Sequence, residues 1–117
     1  MVREVLNATT ARALFGELAP GCEVFALSKG QVSFGDVVGL MLDTAGPADL
    51  TLATWAAAPP ELRALRRLLD AGRVRRLRLL IDPSFQRRQP AYCALLRSLF
   101  GPEALRLIVC HAKVAVV

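Results

Sequence analysis

Residues 50–82, LTLATWAAAPPELRALRRLLDAGRVRRLRLLID, decide how this chain folds. Leu50–Trp55 is short, apolar and rich in β-branched and aromatic residues, the composition of a strand. Pro59, Pro60 and Glu61 then open a helix as helices prefer to open, with proline and an acid in the first turn. Leu62, Leu65, Leu68 and Leu69 lay an apolar stripe along it. Arg63, Arg66 and Arg67 lie largely off that stripe, and Gly72 ends the helix. Val74–Ile81 returns to strand, half-polar at first and wholly apolar at its end. A strand, a helix and a second strand in this order predict a parallel pair joined by a right-handed crossover.

The same alternation extends both ways. Residues 8–18 predict a helix capped by Asn7 or Thr9 and stopped by Pro20-Gly21. Cys22–Leu27 is a short apolar run between turn signals and predicts a buried strand. Ser33 is an N-cap with Asp36 in the first turn, and the helix it starts runs to Gly46-Pro47. Beyond the central unit, Asp82-Pro83-Ser84 closes the strand and residues 90–99 predict a helix. Leu105–Val109 and Lys113–Val117 are two closely connected strands, either paired antiparallel or one long bent strand. The expected fold is one α/β domain over residues 1–117, a mostly parallel sheet with helices on both faces.

A hydrophobic share of 54% with 21% charged residues excludes a disordered chain of 117 residues. Three cysteines, Cys22, Cys93 and Cys110, include no C-x-x-C pair. A reducing, cytoplasmic setting is therefore expected rather than a disulfide scaffold. No apolar stretch is long enough to span a bilayer, and Met1–Leu14 lacks the layout of a signal peptide. The net charge of +5 is uneven. Residues 1–60 hold three basic against six acidic residues, and residues 61–117 hold twelve against four. An anionic partner such as nucleic acid suits that basic half; so does a solvated helix face in an arginine-rich chain.

Ligands of open parallel sheets collect beyond the C-terminal strand ends. There the sequence places Lys29, then Thr54 and Trp55, then Asp82 and Ser84. Arg87 and Arg88 follow on the same side, as phosphate contacts or as a solvated loop. Neither a dinucleotide-binding nor a P-loop glycine pattern is present, nor is a nucleophile elbow. One histidine and scattered cysteines offer no zinc spacing, so no metal and no cofactor are expected. The cysteines read as small buried hydrophobes, and Trp55 as a core or rim aromatic or a base-stacking platform. His111-Ala112-Lys113 remains. On a strand, alternation puts His111 and Lys113 on one side, where an imidazole can attack phosphorus and an ammonium can stabilise the equatorial oxygens. A packed histidine beside a snorkelling lysine has the same spacing.

The surroundings of that tripeptide resemble a known superfamily. Leu79–Asp82 (L-L-I-D), a helix, the approach Gly101–Leu107 and then His111-Ala112-Lys113 before Val114–Val117 are similar to the first part of a phospholipase D-like domain, with its H-x-K-x-x-x-x-D signature. Ala53-Thr54-Trp55, Asp82–Tyr92 (D-P-S-F-Q-R-R-Q-P-A-Y) and Cys110–Val114 (C-H-A-K-V) resemble bacterial and prophage-associated members more locally. The likeness covers about residues 20–117. It implies a layered fold, His111 as a nucleophile forming a phosphohistidine, Lys113 as the phosphate clamp, and no metal. Two such motifs must face one another, so one copy per chain implies a homodimer. The signature's aspartate would fall just after Val117, so the match covers a shortened domain. The apolar run at the C-terminus is expected to pair with a partner chain or a second copy.

Three functions therefore compete. The first is a phosphodiesterase of nuclease type. The second is a non-catalytic nucleic-acid-binding or assembly module with the same fold. The third is a structural protein in which His111 is packed.

Overall fold

Parallel pairing of the strands flanking the 59–70 helix organises the sheet. The computed structural model describes residues 9–24, 30 and 32–117. They fall in two compact units, Met1–Gly46 and Pro47–Val117.

In the first unit, helix α1 (Ala11–Phe15) is capped by Thr10, whose hydroxyl accepts the Ala13 N–H. Helix α2 (Phe34–Ala45) begins at Ser33 with a reciprocal capping box: Ser33 Oγ accepts the Asp36 N–H at 3.0 Å, and Asp36 Oδ2 accepts the Ser33 N–H at 2.9 Å. Two orphan donors are satisfied at once. The Ser33 backbone N–H, and after it the Ser33 side chain, hold the Asp36 carboxyl below the usual carboxylate range. Gly46, at φ 77°, ends the helix in a backbone region that side chains with a Cβ avoid. Cys22, Glu23 and Val24 carry no regular structure, and the rest of the expected 22–27 strand lies outside the described residues, as does Lys29.

The second unit holds strand β1 (Ala48–Thr54), helix α3 (Pro59–Asp70), strand β2 (Val74–Ile81), helices α4 (Ser84–Arg88) and α5 (Pro90–Phe100), and strands β3 (Leu105–Leu107) and β4 (Val114–Val116). The sheet order is β3-β2-β1-β4, with β1–β2 and β2–β3 parallel and β1–β4 antiparallel. The protein is thus α/β with a four-stranded mixed sheet. Leu50, Leu52 and Thr54 share a face with Leu77, Leu79 and Ile81 by register, and all six are buried. The register shifts between Ala48 and Asp49, leaving Arg75 without a partner on β1. This extra residue explains why two consecutive arginines, Arg75 and Arg76, are exposed inside a strand.

Successive right-handed steps in one direction across a sheet put their helices on one face. Accordingly α3 and α5 meet: Arg66 Nη1 donates to the Leu99 carbonyl oxygen at 3.1 Å. Leu62 of α3 and Leu96 of α5 are fully buried, with Cys93 beside them in burial. Glu61 Oε2 accepts the Ala58 N–H and caps the start of α3.

The last two strands differ from expectation. They neither pair with each other nor form one bent strand; they occupy opposite edges of the sheet. The reason is directional. β3 runs parallel to β2 and ends beside Ile81, while β4 runs antiparallel to β1 and starts beside Ala53. Residues 108–113 therefore cross the C-terminal ends of β2 and β1 to join them. Val114 and Val116 leave β4 an apolar, exposed edge.

Candidate functional site

The crossing segment brings the site together. Asp82 lies just past the end of β2, and its carboxylate accepts two backbone N–H groups. Oδ1 takes that of Ser84 at 2.9 Å, and Oδ2 takes that of Cys110 at 3.1 Å. The first bond is an Asx-type turn, which an Asp-Pro-Ser sequence favours. The second reaches across 28 residues to the neighbour of His111. The Asp82 carboxyl is lowered from 3.8 to about 2 by the Ser84 side chain and backbone, then by the Cys110 N–H and the nearby His111 charge, against the opposing effect of burial.

Trp55 lies just past the end of β1. The His111 imidazole stacks on it with ring centroids 5.6 Å apart and planes at 25°. The Arg88 guanidinium carbon lies 3.7 Å from the centre of the Trp55 ring. Arg88 is held there twice more: Nη2 donates to the Trp55 carbonyl oxygen at 3.2 Å, and Nε to Ser84 Oγ at 3.1 Å. Five residues expected at the site, Trp55, Asp82, Ser84, Arg88 and His111, thus form one connected group. Trp55 is 39% exposed, and His111 and Arg88 are exposed as well. The indole thus carries both an exposed imidazole and an exposed guanidinium, groups that can receive an anion or a flat ring.

Other expected positions have different parts. Thr54 is buried, and its hydroxyl donates to the Ala56 carbonyl oxygen at 2.9 Å, so it shapes the turn after β1 rather than facing a ligand. Asp82 is buried with both oxygens occupied, so it too is not a group offered to substrate. Arg87 is exposed on α4. His111 and Lys113 do not alternate along a strand, because β4 starts only at Val114; both are exposed residues of the crossing segment. Lys29 lies outside the described residues.

One participant has no signal in the sequence: the backbone N–H of Cys110, which no side chain announces. Arg88 is among the expected residues, but its return over Trp55 across a spacing of 33 residues is a contact that no local pattern reveals.

Among the described residues, no group of three or more His, Cys, Asp or Glu side chains is placed to hold a metal ion. None of their helices is long and apolar enough to cross a membrane. A cleft lined by Thr10, Arg12, Asp36 and Asp43 in the first unit contains none of the site residues above. No family model, curated protein or solved structure matches the chain.

Proposed function

We propose that the chain is a phospholipase D-like phosphodiesterase of nuclease type, acting as a dimer through His111. The observation that supports this reading is the placement of the imidazole. It stands exposed beyond the C-terminal ends of the parallel strands, stacked on an indole that also carries Arg88, instead of among aliphatic side chains. In this reading a His111 nitrogen attacks phosphorus and the bond to the leaving oxygen breaks. That oxygen takes a proton from the imidazolium of a second copy. Water then attacks the phosphohistidine, gives its proton back to the second imidazole, and releases His111 as the P–N bond breaks. Lys113 and Arg88 neutralise charge on the phosphoryl oxygens.

The layered phospholipase D-like arrangement belongs to the same proposal. So do the cytoplasmic setting and dimerisation along the exposed β4 edge. The basic residues of the 61–117 half suit a nucleic-acid backbone as substrate.

A second reading, a binding module without turnover, has its own support. Among the described residues no hydrogen bond orients the His111 imidazole, and the Asp82 carboxylate is already committed to backbone. The decisive experiment incubates the chain with labelled single- and double-stranded oligonucleotides, with and without a chelator. The phosphodiesterase reading expects chelator-resistant cleavage that falls by about 10³-fold or more in His111→Ala, with folding retained. Cleavage unchanged in that variant rejects it. Salt-sensitive binding without cleavage transfers the case to the binding module.

A further inference from the structure

We propose that Asp82 is a positioning residue for His111: by holding the Cys110 N–H to the end of β2, it sets the imidazole against Trp55. The proposal rests on reading His111 as the centre of the site. It changes the role of Asp82 from a ligand group to a clamp.

The geometry carries it. Residues 108–113 must pass over two strand ends without belonging to the ladder, so their backbone needs other partners. At the near end, the Ile108 N–H donates to the Ile81 carbonyl oxygen at 3.0 Å. Two residues further on, the Cys110 N–H donates to Asp82 Oδ2. The next residue is His111. A carboxylate fixed at the other oxygen by the Ser84 N–H cannot swing to follow a moving loop. It therefore fixes the backbone one residue before the imidazole. That same Ser84 accepts the Arg88 Nε, and Arg88 lies over Trp55. Asp82 thus stands where both supports of the ring bed meet, the crossing segment and the α4 turn. Its burial supports the same role, since an anion kept at 5% exposure is stable only when its oxygens are satisfied.

Each carboxylate oxygen accepts a backbone N–H and the residue is buried, so the group faces the backbone it holds rather than solvent. Among the described residues, His111 lies close enough to act on this carboxylate electrostatically, and Arg88 binds its neighbour Ser84.

Proton–nitrogen NMR on the full chain tests the clamp. In the unaltered protein, the amide signals of Ser84 and Cys110 should move together on acidification, with one midpoint near the Asp82 value of about 2. A Cys110 amide that stays still while that of Ser84 moves overturns the proposal. In Asp82→Asn, the amide NH₂ replaces one acceptor, and the upfield ring-current displacement of the His111 ring protons by Trp55 should be lost. Signals of Leu62 and Leu96 should stay in place. His111 signals unchanged in a folded Asp82→Asn variant overturn the clamp; if that variant does not fold, the titration of the unaltered chain decides.

The kinetic counterpart is a kcat reduced about 10–100-fold with KM within about twofold, as expected for a misplaced reacting group. Should Asp82→Asn displace His111 in a chain that cleaves no phosphodiester, the clamp stands and the phosphodiesterase reading falls. Should His111→Ala abolish cleavage while Asp82→Asn leaves the His111 signals unmoved, the reverse holds.

Discussion

Replacing Arg88 by alanine removes three contacts at once, and their sum can be worked out. A cation over an exposed indole contributes about 0.5–1 kcal/mol. Each of the two hydrogen bonds, to the Trp55 carbonyl and to Ser84 Oγ, contributes about 0.5 kcal/mol when the donor is this exposed, the low end of the usual range. Arg88→Ala should therefore cost about 1.5–2 kcal/mol. Trp55 is the only tryptophan, so its emission reports unfolding of the Pro47–Val117 unit that contains it. With a urea slope of about 1–2 kcal/mol/M, the midpoint should fall by about 1 M. The emission of the folded state should shift as well, because one partner of the ring has gone. Arg87→Ala is the control. Arg87 is exposed one position earlier on α4 and should stay within about 0.5 kcal/mol of the parent. If Arg88→Ala matches Arg87→Ala in midpoint and emission, Arg88 does not hold the aromatic bed and the Trp55–Arg88 contact contributes nothing to the site.

Leu96, fully buried on α5, should cost about 2–5 kcal/mol when truncated to alanine, while Leu107→Ala at the exposed end of β3 should cost little; thermal unfolding separates them. The Asp82 pKa in the folded chain, about 2, lies below its unfolded value near 3.8. The stability it contributes is thus complete above about pH 4 and is lost as the pH falls toward about 2, a decline that Asp82→Asn should lessen in denaturation midpoints measured from pH 5 to 2. Ser33→Ala removes one half of the α2 capping box and should cost about 1 kcal/mol, seen as faster amide exchange in the first turn of α2, whereas Ser33→Asp should keep the protection.

The elements whose signals are local were the legible ones. Val74–Ile81 matches its sequence boundaries because an arginine-to-leucine gradient and Gly72 define both ends. Helix α2 is announced by Ser33 and Asp36 three residues apart, and α3 by its prolines. The destination of β4 was not legible. Whether Val114–Val116 joins β3 or crosses to β1 depends on pairings between residues far apart, and both arrangements bury an apolar strand equally well in sequence terms. That same non-local choice moved His111 and Lys113 off a strand and into the crossing segment. Several site residues were still foreseeable, because the rule that ligands gather at C-terminal strand ends depends only on strand direction. It identified Trp55, Asp82, Ser84 and Arg88, but it could not distinguish side chains that face outward from ones, such as Thr54 and Asp82, that turn back to satisfy backbone.

The central claim concerns one nitrogen atom on His111, and covalent trapping tests it most directly. The chain is mixed with a phosphodiester oligonucleotide, quenched in alkali, where phosphoramidates survive, and digested for mass spectrometry. A phosphoryl-linked adduct is expected on the peptide containing His111, absent in His111→Ala and indifferent to chelators. Cleavage with the adduct on another residue, or cleavage that needs an added metal ion and leaves His111 unmodified, would contradict it.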